Sequence, residues 1–179
     1  MIYFVRHGES EANAADVLAG SQIDSPITEH GRDQARLAAD YLKNHHIHID
    51  HIVSSPMQRT RETAEIIAKV IGIDLEDIEY DQRLIEHDCG SLTGHSTHIS
   101  SVELVTAPGT ESAEDLLSRA QSALRDIANL PGNVLIVSHA GIGRMIISKH
   151  RDLDIRHYNE VEGIDNGSLV ALDLAGVID

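Results

Sequence analysis

An Arg-His pair, Arg6-His7, follows a short apolar run at the start of the sequence and could carry out chemistry on an anion. A guanidinium can bind a phosphate or a carboxylate through two parallel hydrogen bonds. An imidazole beside it can act as a nucleophile, as an acid or base, or as a metal ligand. The tripeptide Arg-His-Gly is a weak signal by itself, because so short a match also occurs by chance in solvated surface turns.

Two later segments have the same organisation, an apolar run followed by a cationic or imidazole side chain. Arg59 follows the run around Ile52, and His139 follows the run 134–138, VLIVS. The carboxyl ends of parallel strands lie along one edge of a sheet, where α/β proteins bind their ligands. Two guanidiniums and two imidazoles at this edge would form a cradle for a phosphoryl group, and Glu86 is the candidate acid for the leaving oxygen.

The elements that would position these side chains alternate along the chain. The patterns predict strands at 2–5, 49–54, 77–84, 134–138 and 168–174, and helices near 29–44, 57–72, 111–129 and 141–150. This alternation is typical of α/β proteins and predicts a three-layer α/β/α sandwich with a mostly parallel central sheet. Because no linker or repeat interrupts it, we expect residues 1–179 to form a single domain.

Composition limits the class of partner. The 179 residues carry a formal net charge of −15, and aromatic residues make up only 3% of them. This charge and the scarcity of stacking side chains argue against nucleic acid or an anionic membrane surface as a partner. A site for an anion would have to be a local cationic pocket. The single cysteine, Cys89, and the lack of a signal peptide or an apolar span predict a cytoplasmic location.

In their order and spacing, the motifs resemble those of the histidine phosphatase superfamily, the phosphoglycerate-mutase-like proteins. Six segments carry the resemblance: VRHGESEAN (5–13), DSPITEHG (24–31), SSPMQRTRETAEI (54–66), LIEHDCGSLTG (84–94), GTESAEDLLSRA (109–120) and VLIVSHAG (134–141). Each segment is a weak or moderate signal, whereas the full series covers nearly the whole chain and is specific. The resemblance implies a phosphoglycerate-mutase-like fold and phosphoryl transfer through a phosphohistidine intermediate.

The resemblance also implies a role for each matching residue. His7 would be the nucleophile, and Glu86 would act first as an acid and then as a base for water. The phosphate oxygens would be held by three residues, namely Arg6, Arg59 and His139. Further substrate contacts would come from Ser10, Asn13 and Ala140. No metal and no cofactor are expected, since two arginines and a histidine would supply the positive charge. Arg144 is interpreted as a structural or rim cation.

The segment after Glu86 departs from the family pattern and bears on the substrate. Cys89, Leu92 and Thr93 stand where relatives commonly carry aromatic residues, and the connection 94–109 is short. A small cap of this kind favours a metal-independent phosphatase for phosphomonoesters over a cofactor-dependent phosphoglycerate mutase. The expected partner is a small phosphorylated metabolite. A phosphoprotein (phosphohistidine) phosphatase and a non-catalytic module that binds phosphorylated ligands are the alternatives, and the sequence does not indicate the oligomeric state.

Two histidine-rich stretches could bind a metal ion. They are residues 45–51, HHIHIDH, and residues 87–98. Their spacing matches no ligand pattern of a known structural or catalytic site, and the resemblance gives the neighbouring Glu86 another role. A metal site is therefore the disfavoured alternative for both stretches.

Overall fold

A five-stranded sheet lies at the centre of the computed structural model, which describes residues 1–178 (for Ser101, the backbone alone). Its strands are β1 (Ile2–Arg6), β2 (His51–Ser54), β3 (Ile78–Tyr80), β4 (Val134–Ser138) and β5 (Leu169–Leu172). Their order in the sheet is β3-β2-β4-β1-β5, and all neighbours are parallel except β5, which runs antiparallel to β1. The predicted α/β fold with a mostly parallel sheet is confirmed.

Helices cover both faces of this sheet. They are α1 (Glu11–Ala14), α2 (Glu29–Asn44), α3 (Gln58–Ile71), α4 (Ser101–Thr106), α5 (Ala113–Ala128) and α6 (Ala140–His150). Capping residues define the start of α2 and the end of α3. Thr28 caps α2 by accepting a hydrogen bond from the backbone N–H of Gly31, and α3 ends at Gly72, whose φ is 84°.

Successive residues of the central strands are buried on opposite faces of the sheet. Val5, Leu135 and Val137 pack on one face with the apolar residues of α2 and α3. Phe4 and Ile136 pack on the other face with those of α5 and α6. Because β1 and β4 are paired in register and covered from both sides, their carboxyl ends are fixed relative to each other.

The differences from the predicted elements lie in irregular segments. β3 ends at Tyr80 rather than near residue 84, because the Asp81 side chain accepts the backbone N–H of Arg83 and starts a 3-10 turn. The sequence predicts no helix between residues 86 and 110, yet α4 lies there. A 3-10 helix, Ile155–Glu160, is likewise unpredicted. Within residues 1–178, no helix combines the length and the apolar character that crossing a membrane requires.

Candidate active site

A cavity of about 450 Å³ lies beyond the carboxyl ends of β1 and β4. It is lined by all but one of the residues that the sequence predicts for the site: Arg6, His7, Ser10, Asn13, Arg59, Glu86 and Ala140. The remaining residue, His139, is fully buried, with its ring centre 5.3 Å from that of His7. The strand ends thus converge, while the role of each residue stays a prediction.

His7 stands directly after β1, and the backbone fixes the tautomer of its ring. Nδ1 lies 2.7 Å from the carbonyl oxygen of Gly8, which can only accept, so Nδ1 carries the hydrogen and Nε2 keeps a lone pair. Burial, reinforced by the charges of Arg59 and Arg6, holds the pKa of His7 well below its usual range. The imidazole is therefore neutral at neutral pH and can act as a nucleophile through Nε2.

The loop that carries His7 is fixed by close packing at Gly8. A Cβ atom on Gly8 would collide with the backbone carbonyl of Gly31 in α2, so no other residue fits there without movement. The N–H of Gly8 donates to Thr63 Oγ1 on α3 at 3.0 Å, and Thr63 itself donates to the carbonyl oxygen of Arg59 at 2.7 Å. The loop after β1 is thereby tied to both helices of one layer.

The two predicted phosphate-binding guanidiniums are held by neutral carbonyl groups. Arg6 donates through NH1 to Ile164 O at 3.0 Å, and its buried Nε–H has no acceptor among residues 1–178. Arg59 donates to Ile23 O at 3.0 Å and to Gly20 O at 2.8 Å. Burial lowers the pKa of both guanidiniums, and Glu86 opposes this shift in each case. Because these carbonyl partners are uncharged, they leave the positive charge of both guanidiniums available to an anion in the cavity.

His139 supports Arg59 in this geometry. Arg59 Nε donates to Nδ1 of His139 at 3.2 Å, so the ring hydrogen is on Nε2, which lies 2.8 Å from Ser55 Oγ. Burial and the charge of Arg59 hold the pKa of His139 well below its usual range. Both ring nitrogens are occupied by protein partners. A hydrogen bond from His139 to phosphate would have to replace the one to Ser55.

Glu86 reaches the cavity from the loop before the 3-10 turn Gly90–Leu92. Its carboxylate lies at the start of α6, where the backbone N–H of Gly141 is 3.1 Å from each carboxylate oxygen. The N–H of His87 donates to Oε1 at 2.9 Å. A Cβ atom on Gly141 would collide with Oε1, so glycine is what allows the carboxylate to approach the helix. These contacts aim Glu86 at the cavity that His7 lines.

The loop after β1 supplies neutral polar groups. Ser10 caps α1 and donates through its hydroxyl to Asn13 Oδ1 at 3.0 Å. Asn166 donates to the same oxygen at 3.3 Å and to the carbonyl oxygen of His7 at 3.0 Å. Because Asn13 Oδ1 is occupied by donors, its Nδ2 is the group left to donate to a ligand. Asn166, which the sequence does not single out, lines the cavity as well.

A buried Tyr-His pair lines the cavity beside Glu86, and sequence reasoning missed it. Nε2 of His87 donates to the carbonyl oxygen of Glu111 at 2.8 Å, so Nδ1 is free to accept from the hydroxyl of Tyr158 at 3.0 Å. Burial raises the pKa of Tyr158, which keeps the phenol protonated as a donor. The adjacency of His87 to Glu86 was visible in the sequence, whereas no local signal pointed to Tyr158.

The segment after Gly94 that lines the cavity contains α4, which the sequence does not predict. The backbone N–H of Leu18 donates to the carbonyl oxygen of His95 at 2.8 Å, and the N–H of Gly94 donates to that of Leu18 at 2.9 Å. Thr97 and Ile99 line the cavity from this side. Cys89 lies deeper in the wall, and burial raises the pKa of its thiol to about 12, so it is protonated and poorly nucleophilic.

The histidine-rich stretches 45–51 and 87–98 bear on whether the described residues could hold a metal ion. Among residues 1–178, no three His, Cys, Asp or Glu side chains are grouped so that they could hold a metal ion. In the stretch 45–51, the ring of His45 stacks on Tyr41, and His48 lies 3.4 Å from Asp50. The side chains therefore point to separate neighbours rather than to a common centre.

A family model and several known proteins match most of this chain. The family model described as "Histidine phosphatase superfamily (branch 1)" matches residues 2–177. A curated relative from Photorhabdus laumondii, named "Probable phosphoglycerate mutase GpmB", is 42% identical over 153 residues, which is 77% of this chain and 68% of the relative. The matched range includes every residue that lines the cavity, from Arg6 to Asn166.

Solved structures with the same fold include phosphatases. "Bacillus stearothermophilus YhfR" is 25% identical, with a TM-score of 0.82 over 96% of this chain and 91% of that one. A mycobacterial glucosyl-3-phosphoglycerate phosphatase, Rv2419c, complexed with VO3 is 24% identical, with a TM-score of 0.76 over 94% and 90% of the two chains. At this identity, the second likeness concerns the fold alone.

Proposed function

The chain belongs to the histidine phosphatase superfamily, and we propose that it hydrolyses phosphomonoesters through a phosphohistidine intermediate on His7. The observation that supports this proposal best is the state of His7. Its ring is neutral and held by Gly8, and Nε2 keeps its lone pair in a cavity that Arg6, Arg59 and Glu86 also line. A nucleophile, charge neutralisation and a proton donor are what phosphoryl transfer requires.

The first step forms the covalent intermediate. Nε2 of His7 attacks phosphorus, and an N–P bond forms while the P–O bond to the leaving group breaks. Arg6 and Arg59 stabilise the negative charge that spreads over the peripheral oxygens. Glu86 enters this step protonated and gives its proton to the leaving oxygen, so the product departs as a neutral alcohol.

The second step returns the protein to its starting state. Glu86, now a carboxylate, takes a proton from water as the water oxygen attacks phosphorus. The N–P bond breaks, its electron pair returns to Nε2 of His7, and inorganic phosphate leaves. The hydrogen bonds from the backbone N–H groups of His87 and Gly141 stabilise the carboxylate form between the two steps.

The test is hydrolysis of p-nitrophenyl phosphate in the presence of EDTA. The variant His7→Ala should lose about 10³-fold or more in kcat/KM, the scale seen when a nucleophile is removed. His45→Ala removes an exposed histidine at the end of α2 and serves as the matched control. Rapid mixing of the wild-type protein with labelled substrate should trap an acid-labile, base-stable phosphoenzyme. Undiminished hydrolysis by His7→Ala would overturn the proposal.

A phosphoglycerate mutase is the second candidate, because the Photorhabdus laumondii relative carries that name. A mutase would use the same phosphohistidine, but the phosphoryl group would pass to a substrate hydroxyl instead of to water. Interconversion of 3- and 2-phosphoglycerate that depends on priming by 2,3-bisphosphoglycerate would favour this candidate. Release of inorganic phosphate at the same rate with and without the bisphosphate would exclude it.

A further inference from the structure

Arg144, in the second turn of α6, lines the same cavity as Arg6 and His7 without a carboxylate partner. Its Nε donates to the carbonyl oxygen of Val161 at 3.2 Å, and its NH1 donates to Asn159 Oδ1 at 3.0 Å. Both acceptors are neutral. The arginine–carboxylate ion pairs found among residues 1–178 all involve other arginines. The charge of Arg144 is therefore not neutralised by the described chain.

The contacts of Arg144 fix its guanidinium while leaving donors unused. Val161 and Asn159 take two of its five N–H groups, so NH2 and one NH1 hydrogen have no protein acceptor within the described part of the chain. The guanidinium lies over the backbone of Gly163, where a Cβ atom would be 2.9 Å from Nε and from NH2. A rigid fork with free N–H groups is the geometry that binds a planar oxyanion.

Arg144 adds a third guanidinium to a cavity whose lining also contains the carboxylates of Glu86 and Asp16. Burial lowers the pKa of Arg6, Glu86 opposes this shift, and Arg144 adds to it, so Arg144 acts within the field of the phosphate-binding cation. Arg6 and Arg59 suffice for a phosphate dianion. Arg144 is therefore a third cation of the lining that the proposed transfer of one phosphoryl group does not use, although the molecule as a whole has a net charge of −15.

We propose that Arg144 binds a second oxyanion on the leaving group, so that the preferred substrates are phosphomonoesters whose leaving group carries a carboxylate or a second phosphate. Asn159, which also lines the cavity, holds the guanidinium in place. This inference rests on the proposed function, because it concerns the substrate of the same site. It replaces the interpretation of Arg144 as a structural or rim cation with that of a specificity-determining residue.

The test compares three small phosphomonoesters that differ in the anionic group carried by the leaving group. Ethyl phosphate has none, phosphoglycolate has a carboxylate, and ethane-1,2-diol bisphosphate has a second phosphate. For at least one of the two anionic substrates, the kcat/KM of the wild-type protein should be about tenfold or more above its kcat/KM for ethyl phosphate. This is the scale of one charge-assisted hydrogen bond. Which of the two anionic substrates is preferred identifies the oxyanion.

Variants of Arg144 should change the ratio between substrates. In Arg144→Met, the ratio of kcat/KM for the preferred anionic substrate to kcat/KM for ethyl phosphate should fall by about tenfold. In Arg144→Lys, which keeps the positive charge but not the planar guanidinium, this ratio should fall less. Gly163→Ala should also reduce it, because the new Cβ displaces the guanidinium without removing its charge. Arg156→Met, which removes an equal charge from an exposed arginine paired with Asp154, should leave the ratio unchanged.

Calorimetric binding to His7→Ala separates this inference from the proposed function, because binding needs no turnover. If phosphoglycolate or the bisphosphate binds more tightly than ethyl phosphate and Arg144→Met removes the difference, the inference holds even without hydrolysis by the wild-type protein. Equal affinity for all three compounds overturns it, and so does a preference that survives in Arg144→Met. Should Arg144→Met fail to fold, as judged by circular dichroism, Arg144→Lys and Gly163→Ala give the same decision.

Discussion

The two sides of the cavity differ in how far they depend on particular side chains. On the proposed phosphate side, Arg6 and His7 bond to main-chain carbonyls, and Arg59 bonds to two carbonyls and to the side chain of His139. On the proposed leaving-group side, Arg144 bonds to one carbonyl, that of Val161, and to the side chain of Asn159, while Tyr158 bonds to the side chain of His87. A carbonyl is present whatever residue carries it, whereas a side-chain partner is lost with one substitution. We infer that the geometry of the proposed phosphate side tolerates substitution of neighbouring residues better than that of the proposed leaving-group side.

This comparison predicts that Arg59 acts on every substrate alike. Arg59→Met removes the buried cation and its bonds to Gly20 O and Ile23 O. We expect kcat/KM to fall by about 10³-fold for ethyl phosphate and for phosphoglycolate, the loss typical of a removed oxyanion donor. The ratio between the two substrates should stay constant. Steady-state kinetics with both substrates measures this.

Arg61→Met is the matched control, because Arg61 is an exposed arginine on the same helix that lies over the ring of Tyr80. Its kcat/KM should remain near that of the wild-type protein. A ratio between substrates that shifts as strongly in Arg59→Met as the absolute rate does would contradict the division of the cavity into two sides. Thermal unfolding of each variant separates loss of activity from loss of fold.

The position of the proton donor can be tested at Gly141. In Gly141→Ala the new Cβ displaces the carboxylate of Glu86 from the start of α6. We expect kcat/KM for ethyl phosphate to fall by about 10²-fold, the scale of lost general acid catalysis. Hydrolysis of p-nitrophenyl phosphate should fall much less, since its leaving group departs without a proton.

Gly143→Ala provides the control within the same helix, because its Cβ would press on Ile164 and Phe4 rather than on Glu86. This variant should lower the unfolding temperature without changing the relative rates for the two leaving groups. If Gly141→Ala slows both substrates equally, Glu86 does not protonate the leaving oxygen from its present position.

The smallest expected effect belongs to Tyr158 on the leaving-group side. Tyr158→Phe removes the hydrogen bond to Nδ1 of His87, next to Glu86. We expect the free energy of unfolding to fall by about 1 kcal/mol and kcat/KM to fall roughly fivefold, the net value of one neutral hydrogen bond. Denaturant unfolding and kinetics measure these two quantities.

Tyr41→Phe, at an exposed tyrosine of α2, should change neither quantity. A Tyr158→Phe variant with wild-type stability and activity would show that the Tyr158–His87 pair contributes nothing to the site. A drop in kcat/KM that differs between ethyl phosphate and phosphoglycolate would instead refine the comparison, because it would place Tyr158 among the groups that distinguish leaving groups.

Strand periodicity and strand-end chemistry were readable from the sequence. The apolar runs of β1 and β4 predicted buried strands, and the parallel arrangement predicted that Arg6, His7 and Arg59 meet at one edge. Glu86 was predicted from its loop position and from the resemblance, and it lines the same cavity. These predictions succeeded because each depends on a local pattern and on one general rule about sheet edges.

The residues that the sequence could not place lie in segments without a periodic hydrophobic pattern, or have partners that only packing decides. Tyr158 is buried in a 3-10 helix of six residues, and its partner His87 lies 71 positions away. Arg144 was recognised as a cation, but its lack of a carboxylate partner depends on which segment packs against α6. The engagement of His139 by Arg59 and Ser55 is also a product of packing.

The sequence by itself determined the alternating α/β elements and the chemical groups at the strand ends, because side-chain periodicity and turn residues act over a few neighbouring positions. The tertiary structure alone decided which nitrogen of each buried histidine carries the hydrogen, how Glu86 is held by Gly141, and that Arg144 lines the cavity unpaired. The reason is physical: burial, hydrogen-bond partners and local charge come from residues far apart in the chain, and they exist only once the segments have packed.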